Sequence, residues 1–268
     1  MEFQVNGQVA YCYTGSKLLH DGQATVVLIH GAQNDHSVWA SQSRYFAHHG
    51  YNVLALDLPG HGRSGGPALQ SIEQMADWLL ALLDAAGISS AHLIGHSMGS
   101  LIALEAAYRA PARIQKLALL GTAYPMQVSD ALLDAAKNQE DAAIDMVNIW
   151  SHAHQFHQAS ASSPGFSLLG ISRRLMQRIS QINPAHVFHT DFSACNAYAN
   201  GEAAAHGVAC PTLFLIGKKD MMTPPKATQI LRQAIANKQV VVIENCGHAM
   251  MSEQADAVLN HLYGFIQD

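Results

Sequence analysis

The sequence predicts an α/β fold, a mostly parallel sheet with helices on both faces, and three observations carry that reading. Short uninterrupted runs of β-branched and aliphatic residues recur along the 268-residue chain, the pattern of strands buried on both faces. Segments of helical character separate these runs, and strand-helix-strand order with short connections builds parallel sheets. The alternation breaks once, from about 123 to 207, where buried strands disappear and helical segments alternate with loops. That stretch reads as a helical cap, or lid, inserted into a core made of 1–122 and 208–268.

The chain opens with Phe3 to Val5 and Val9 to Tyr13, joined through Asn6-Gly7, which has the turn chemistry of a β-hairpin. Thr25 to Ile29 is a buried strand that runs into His30-Gly31-Ala32, and Ser37 to His49 follows as a helix. Asn52 to Leu56 is the next strand, ending at Asp57. The stretch Asp57-Leu58-Pro59-Gly60-His61-Gly62-Arg63-Ser64-Gly65-Gly66 is too rich in glycine and proline for a regular element and must be a shaped loop. A helix at about 72–86 leads to the strand Ala91 to Ile94, a helix over Leu101 to Arg109 stopped by Pro111, and the strand Lys116 to Leu120. In the cap, helices are expected near 130–150, 171–181 and 184–199, the last with Asn183 as N-cap and Pro184 at its first position. Pro211 to Ile216 and Gln239 to Ile243 resume the strands, with a helix from about Pro225 between them and a closing helix over Ser252 to Phe265.

With 49% hydrophobic residues the chain can bury one large core. Its net charge of −5 comes from interspersed residues with no basic stripe, so nucleic acid or an anionic membrane has no electrostatic footing, and a small molecule is the expected partner. The first residues lack the pattern of a signal peptide and no apolar run reaches the length of a membrane span, so a soluble protein is expected. Cys12, Cys195, Cys210 and Cys246 show no metal spacing and read as reduced thiols of a cytoplasmic protein. The sequence leaves monomer or homodimer open.

Gly95-His96-Ser97-Met98-Gly99 ends an apolar strand and opens a helix, the arrangement of a nucleophile elbow that exposes a serine at a sheet edge. A serine hydroxyl is a poor nucleophile at neutral pH, so Ser97 needs a base within reach and a third group to orient that base. His248, in Gly247-His248 just after the final strand, is the candidate base. Asp220 follows the preceding strand and is the candidate orienting acid; Asp57 also ends a strand but sits inside the glycine-rich loop and reads as a loop stabiliser. For the oxyanion, the backbone N–H of Met98 at the helix start and of Ala32 after His30-Gly31 are the candidate donors.

His30-Gly31-Ala32, Asp57 to Ser64, Gly95 to Gly99, Gly217-Lys218-Lys219-Asp220 and Gly247-His248 together resemble the α/β-hydrolase fold superfamily, specifically its capped serine hydrolases and carboxylesterase-like members, over about residues 3–266. Serine, acid, histidine is also the chain order described for that family. The resemblance implies an eight-stranded, mostly parallel sheet, a Ser97-Asp220-His248 triad, hydrolysis through an acyl-enzyme without a cofactor, and a site between core and cap. A serine at 97 in place of aspartate sets the chain apart from dehalogenases and epoxide hydrolases. The segment Ala32-Gln33-Asn34-Asp35 lacks the Gly-Pro-Gly run of carbon–carbon bond hydrolases. The expected activity is cleavage of small carboxylic esters or lactones. The alternatives are carbon–carbon bond hydrolysis of a vinylogous diketone in aromatic catabolism, or a hydrolase-like receptor without catalysis.

Trp39 from the core and Phe156 and Phe166 from the cap are expected to line an apolar pocket, with Met221 at its wall beside Met222, where adaptable packing is the plainer role. His152, His154 and His157 near Trp150 lack a carboxylate or cysteine to complete a metal shell, so no metal site is expected. Arg173, Arg174 and Arg178 on a cap helix read as solvated, or as greeting an anionic substrate.

Overall fold

The computed structural model describes residues 1–153 and 167–267. Glu2–Val5 (β1) and Gln8–Tyr13 (β2) form the leading hairpin. Asn6 and Gly7 both take positive φ, 52° and 78°, as a two-residue type I′ turn demands. The remaining strands are Thr25–Ile29 (β3), Asn52–Leu56 (β4), Ala91–His96 (β5), Ile114–Leu120 (β6), Thr212–Gly217 (β7) and Lys238–Ile243 (β8). All eight join one open sheet in the order β1-β2-β4-β3-β5-β6-β7-β8. Only β1 and β2, and β2 and β4, pair antiparallel; every later pair is parallel. The expected eight-stranded, mostly parallel sheet is therefore the one formed.

The helices are Ala40–His48 (α1, entered through a 3₁₀ turn at His36–Trp39), Ile72–Ala85 (α2), Met98–Arg109 (α3), Asp130–Asn138 (α4), Glu140–Ser151 (α5), Leu168–Ile182 (α6), Val187–Ala197 (α7), Gly201–Gly207 (α8), Gln229–Ala234 (α9), Met250–Glu253 (α10) and Ala255–Gln267 (α11). Successive strand residues face opposite sides of the sheet, and that alternation divides the core into two layers. Val27, Ile29, Leu117 and Leu119 pack with α2 and α3, whereas Val26, Leu28, Ala118 and Leu120 pack with α1 and α11. Both faces of β3 to β6 are thus covered, which is why these strands read as continuous apolar runs.

Between β6 and β7, helices α4 to α7 build a third cluster around Leu132, Ala136, Ile144, Met176, Phe188 and Phe192. Helix α8, which the sequence reading left out, instead buries Ala204 and Ala205 in the layer beside α3. Asn183 corrects another expectation. It closes α6 rather than opening α7; its amide donates to the Gly60 carbonyl at 3.2 Å and its Oδ1 accepts from Ala185 N–H. An asparagine side chain serves a turn as readily as a helix start, and here the bond to the core loop, 123 positions away, selects the turn. Helix α7 begins only after His186, at φ 53°. The loop around 160–165 lies outside the described residues.

Candidate active site

Strand β5 turns into α3 at Ser97, whose φ of 54° and ψ of −122° put a non-glycine residue in a strained backbone region. It is the one residue of 91–100 that is not buried. Two glycines make the turn feasible: a side chain on Gly95 would collide with the Gly99 carbonyl, and one on Gly99 with the Ile29 and His30 carbonyls of β3. The strain is held from behind. Ser97 N–H donates to Leu120 O at 2.9 Å, continuing the β5–β6 ladder, while Ser100 Oγ donates to Ser97 O and lies 2.8 Å from Thr122 Oγ1.

His248 and Asp220 meet at the ends of β8 and β7. His248 Nδ1 is 2.8 Å from Asp220 Oδ2, with the carboxylate fully enclosed. That contact fixes the imidazole tautomer, leaving Nε2 as the acceptor. Asp220 is itself cradled: Oδ1 accepts N–H from Met222 at 2.9 Å and Thr223 at 2.8 Å, and Oδ2 accepts the Thr223 hydroxyl at 2.7 Å. Burial works to raise its pKa, but the charge of His248 and these hydrogen bonds outweigh it and hold the carboxyl below its ordinary range. His248 is tied back to the elbow through His96, whose Nε2–H donates to the His248 carbonyl at 2.9 Å and whose ring lies 4.6 Å from the His248 ring. Burial, reinforced by the neighbouring His248, pushes His96 down to about 3, so it stays neutral.

The turn after β3 reaches the same place. A side chain on Gly31 would stand 3.1 Å from Ser97 Cβ, and Ala32 lines the same cavity as Ser97; Met98 is the first residue of α3, whose N–H has no partner within the helix. Gln33, which sequence reasoning passed over, holds this turn. At φ 54° and fully buried, it donates its N–H to Asp191 Oδ2 of α7 at 2.8 Å, and its side-chain amide to Met176 O at 3.0 Å and Ser180 Oγ at 2.7 Å of α6. Asp191 Oδ2 also lies 2.9 Å from His61 Nε2, a buried pair that fastens α7 to the glycine-rich loop. Burial opposes charge on His61, yet Asp191 and the Pro59 carbonyl together raise its pKa. Asp57 Oδ1 accepts from His36 N–H at 2.7 Å and Oδ2 from Arg63 N–H at 2.8 Å, bonds internal to the core loops.

Gly31, Ala32, His96, Ser97 and His248 share a cavity of about 970 Å³, with α6 and the start of α10 among its other walls. Two expected wall residues are corrected. Trp39 is fully enclosed in the core layer beside α1, because its 3₁₀ turn points it under the sheet, and Val38 takes the pocket position. Met221 is 65% exposed and points away, while its neighbour Met222 lines the cavity. Phe156, Phe166, His154 and His157 lie outside the described residues. His152 is buried with Nδ1 2.8 Å from the Asn148 carbonyl. Among the described residues, Asp35, His36 and Asp57 have metal-like spacing, but their oxygens accept from Ser37, His36 and Arg63 N–H and face Arg178. They form a hydrogen-bonded network. No helix among the described residues is long and apolar enough to cross a membrane.

Residues 24–255 match the family model described as alpha/beta hydrolase fold. The chain is 26% identical over 233 residues to the (E)-2-((N-methylformamido)methylene)succinate hydrolase of Acinetobacter baylyi, covering 83% of this chain and 82% of that protein. It is 27% identical over 262 residues to a 2-hydroxy-6-oxononadienedioate/2-hydroxy-6-oxononatrienedioate hydrolase of Pseudomonas putida, covering 93% and 90%. The crystal structure of the enol-lactonase of Burkholderia xenovorans superposes with a TM-score of 0.84 at 24% identity, over 100% of both chains. With the sheet order, the elbow and a family match spanning most of its length, this chain belongs to the α/β-hydrolase fold family and is a hydrolase of that fold.

Proposed function

We propose that the protein is a cytoplasmic serine hydrolase that cleaves small carboxylic esters or lactones through an acyl-enzyme. Ser97 attacks the carbonyl, His248 takes its proton and returns it to the leaving group, Asp220 orients the ring, and the N–H groups of Ala32 and Met98 receive the oxyanion. Residues 123–207 act as the cap over a core of 1–122 and 208–268. The observation that carries the reading is the buried 2.8 Å contact from His248 Nδ1 to Asp220, tied to the Ser97 elbow through His96. Four buried, unpaired cysteine thiols support the reducing compartment.

The substrate carries an anionic group that meets Arg174. This side chain lines the cavity from α6. On the same helix Arg173 pairs with Asp145 and Arg178 with Asp35, whereas Arg174 has no ionic or hydrogen-bond partner among the described residues. The succinate and dioate in the names of the two relatives support this reading. One observation favours carbon–carbon bond hydrolysis as a second reading, the identity to the hydrolase named for 2-hydroxy-6-oxo acids.

A fluorophosphonate probe labels Ser97 rapidly, and Ser97→Ala and His248→Ala abolish the labelling; folded wild-type protein that resists the probe would sink the proposal. A turnover panel of p-nitrophenyl esters, lactones, a vinylogous diketone and succinate monoesters then ranks the chemistry. Arg174→Ala is expected to raise KM about tenfold or more for the monoester and leave neutral esters unchanged, given that hydrogen bonds to charged groups contribute about 1.5–3 kcal/mol. Equal effects on both would remove the anionic group from the reading.

A further inference from the structure

We propose that Glu253 is a positioning residue for the candidate base His248, locking the histidine loop to the end of α5; the inference rests on the serine-hydrolase reading above. Asp220 constrains His248 at Nδ1 alone, a single pivot about which the ring can still swing. The Thr223 hydroxyl, 3.1 Å away, meets the same nitrogen, and the His96 ring packs 4.6 Å from the imidazole. Further constraint comes from the backbone that carries the ring, three consecutive residues of which are anchored from three directions. Gly247 N–H donates to Glu253 Oε2 at 2.7 Å. The His248 carbonyl accepts from His96 Nε2–H at 2.9 Å. Ala249 N–H donates to the Ser151 carbonyl at the end of α5 at 2.8 Å.

Glu253 makes the second half of the lock as well. Its other oxygen, Oε1, accepts the N–H of Ala153, just beyond α5, at 2.8 Å. One buried carboxylate on α10 thereby joins the loop bearing the base to a segment 100 positions earlier in the chain. Both oxygens accept backbone N–H groups, so an amide or a shorter acid in its place leaves one buried donor without an acceptor. The fit has no slack: a side chain on Gly247 would stand 2.6 Å from Ser151 O and 2.7 Å from Ala153 N. Glu253 borders the same cavity as Ser97 and His248, so its two bonds lie within the site. An error of about 1 Å in a catalytic group lowers rate by up to about 10²-fold, which sets the size of the effect.

The test titrates reactive Ser97 with a fluorophosphonate and then measures kcat per titrated site and KM for wild type, Glu253→Gln and the exposed control Glu244→Gln. Glu253→Gln is expected to lower kcat per titrated site by about 10- to 100-fold, to slow the labelling by a similar factor and to keep KM within about threefold. Glu244→Gln is expected to behave as wild type. Because the value is normalised to sites that react, a loss caused by unfolded protein does not mimic the effect. A Glu253→Gln protein that turns over within about twofold of wild type per titrated site, or that changes KM alone, overturns the proposal. Should that variant not fold, Glu253→Asp keeps the charge but spans one donor instead of two, and wild-type kcat per titrated site in it is equally fatal. Wild-type protein that does not label at all overturns the hydrolase reading itself, an outcome separate from normal labelling in both wild type and variant.

Discussion

At the scale of single residues, the two aspartates that end or follow strands make opposite contacts. Asp220 accepts from His248 Nδ1 and is held by Thr223, whereas Asp57 spends its oxygens on His36 and Arg63 within the core loops. Asp220→Asn is therefore expected to lower kcat by about 10⁴-fold with the fold intact, because the amide favours the wrong imidazole tautomer. Asp57→Asn is expected to lower the melting temperature while kcat per titrated site stays near wild type; the reverse pattern in steady-state kinetics and melting curves would exchange the two roles. Ser97, Asp220 and His248 were legible in sequence because each sits in a glycine-marked segment just past a strand. Thr223 was not, since a threonine three positions from an acid carries no signal until its hydroxyl is seen against the carboxylate.

At the scale of elements, the elbow depends on how closely α3 approaches β3. Gly99→Ala would drive a methyl group into the Ile29 and His30 carbonyls, and backbone on both sides cannot swing aside as a flexible side chain would. Overpacking of this kind costs about 1–3 kcal/mol, read as a melting temperature several degrees lower, and an unchanged midpoint would show that the approach is looser than described. Strand positions were readable because burial on both faces leaves an unbroken apolar run. Helix ends were less so: the segment expected from 184 starts at Val187, and the closing helix is two pieces, α10 and α11. Capping side chains such as Asn183 choose between local and distant partners, and only the folded arrangement supplies the distant one.

At the scale of the whole molecule, buried histidines make stability depend on pH. Burial first, with neighbouring charges second, pushes His30 and His92 down to about 4 and His96 to about 3. Each is neutral in the fold and binds a proton on unfolding below its ordinary value of about 6.5, so the unfolded chain holds more protons and stability falls as pH drops from about 6.5 towards 4. His61 has the opposite sign. Its folded pKa is raised, so its pairing with Asp191 contributes fully below about 6.5 and is lost as pH rises through the raised value. Calorimetry is expected to show the melting temperature falling between pH 6.5 and 4.5, and His61→Gln removing a decline on the alkaline side; a flat profile in both proteins would refute the assignment.

By itself the sequence determined the strand order in the chain and the elbow, and it marked the candidate base, the candidate acid and the stretch read as an insertion, all from segments a few residues long whose apolar runs, glycines and turns report local geometry. Only the tertiary structure decided which side chains meet across long separations. Gln33 and Asp191 are 158 positions apart, Glu253 and Ala153 are 100 apart, and Trp39 and Met221 face away from a cavity their neighbours line. Such pairings depend on how layers pack against one another, and no local pattern encodes the partner that packing brings within 3 Å. The elbow is written in five consecutive residues, whereas the bonds that steady it, the Gln33 turn and the His248 loop come from β6, α5, α6, α7 and α10.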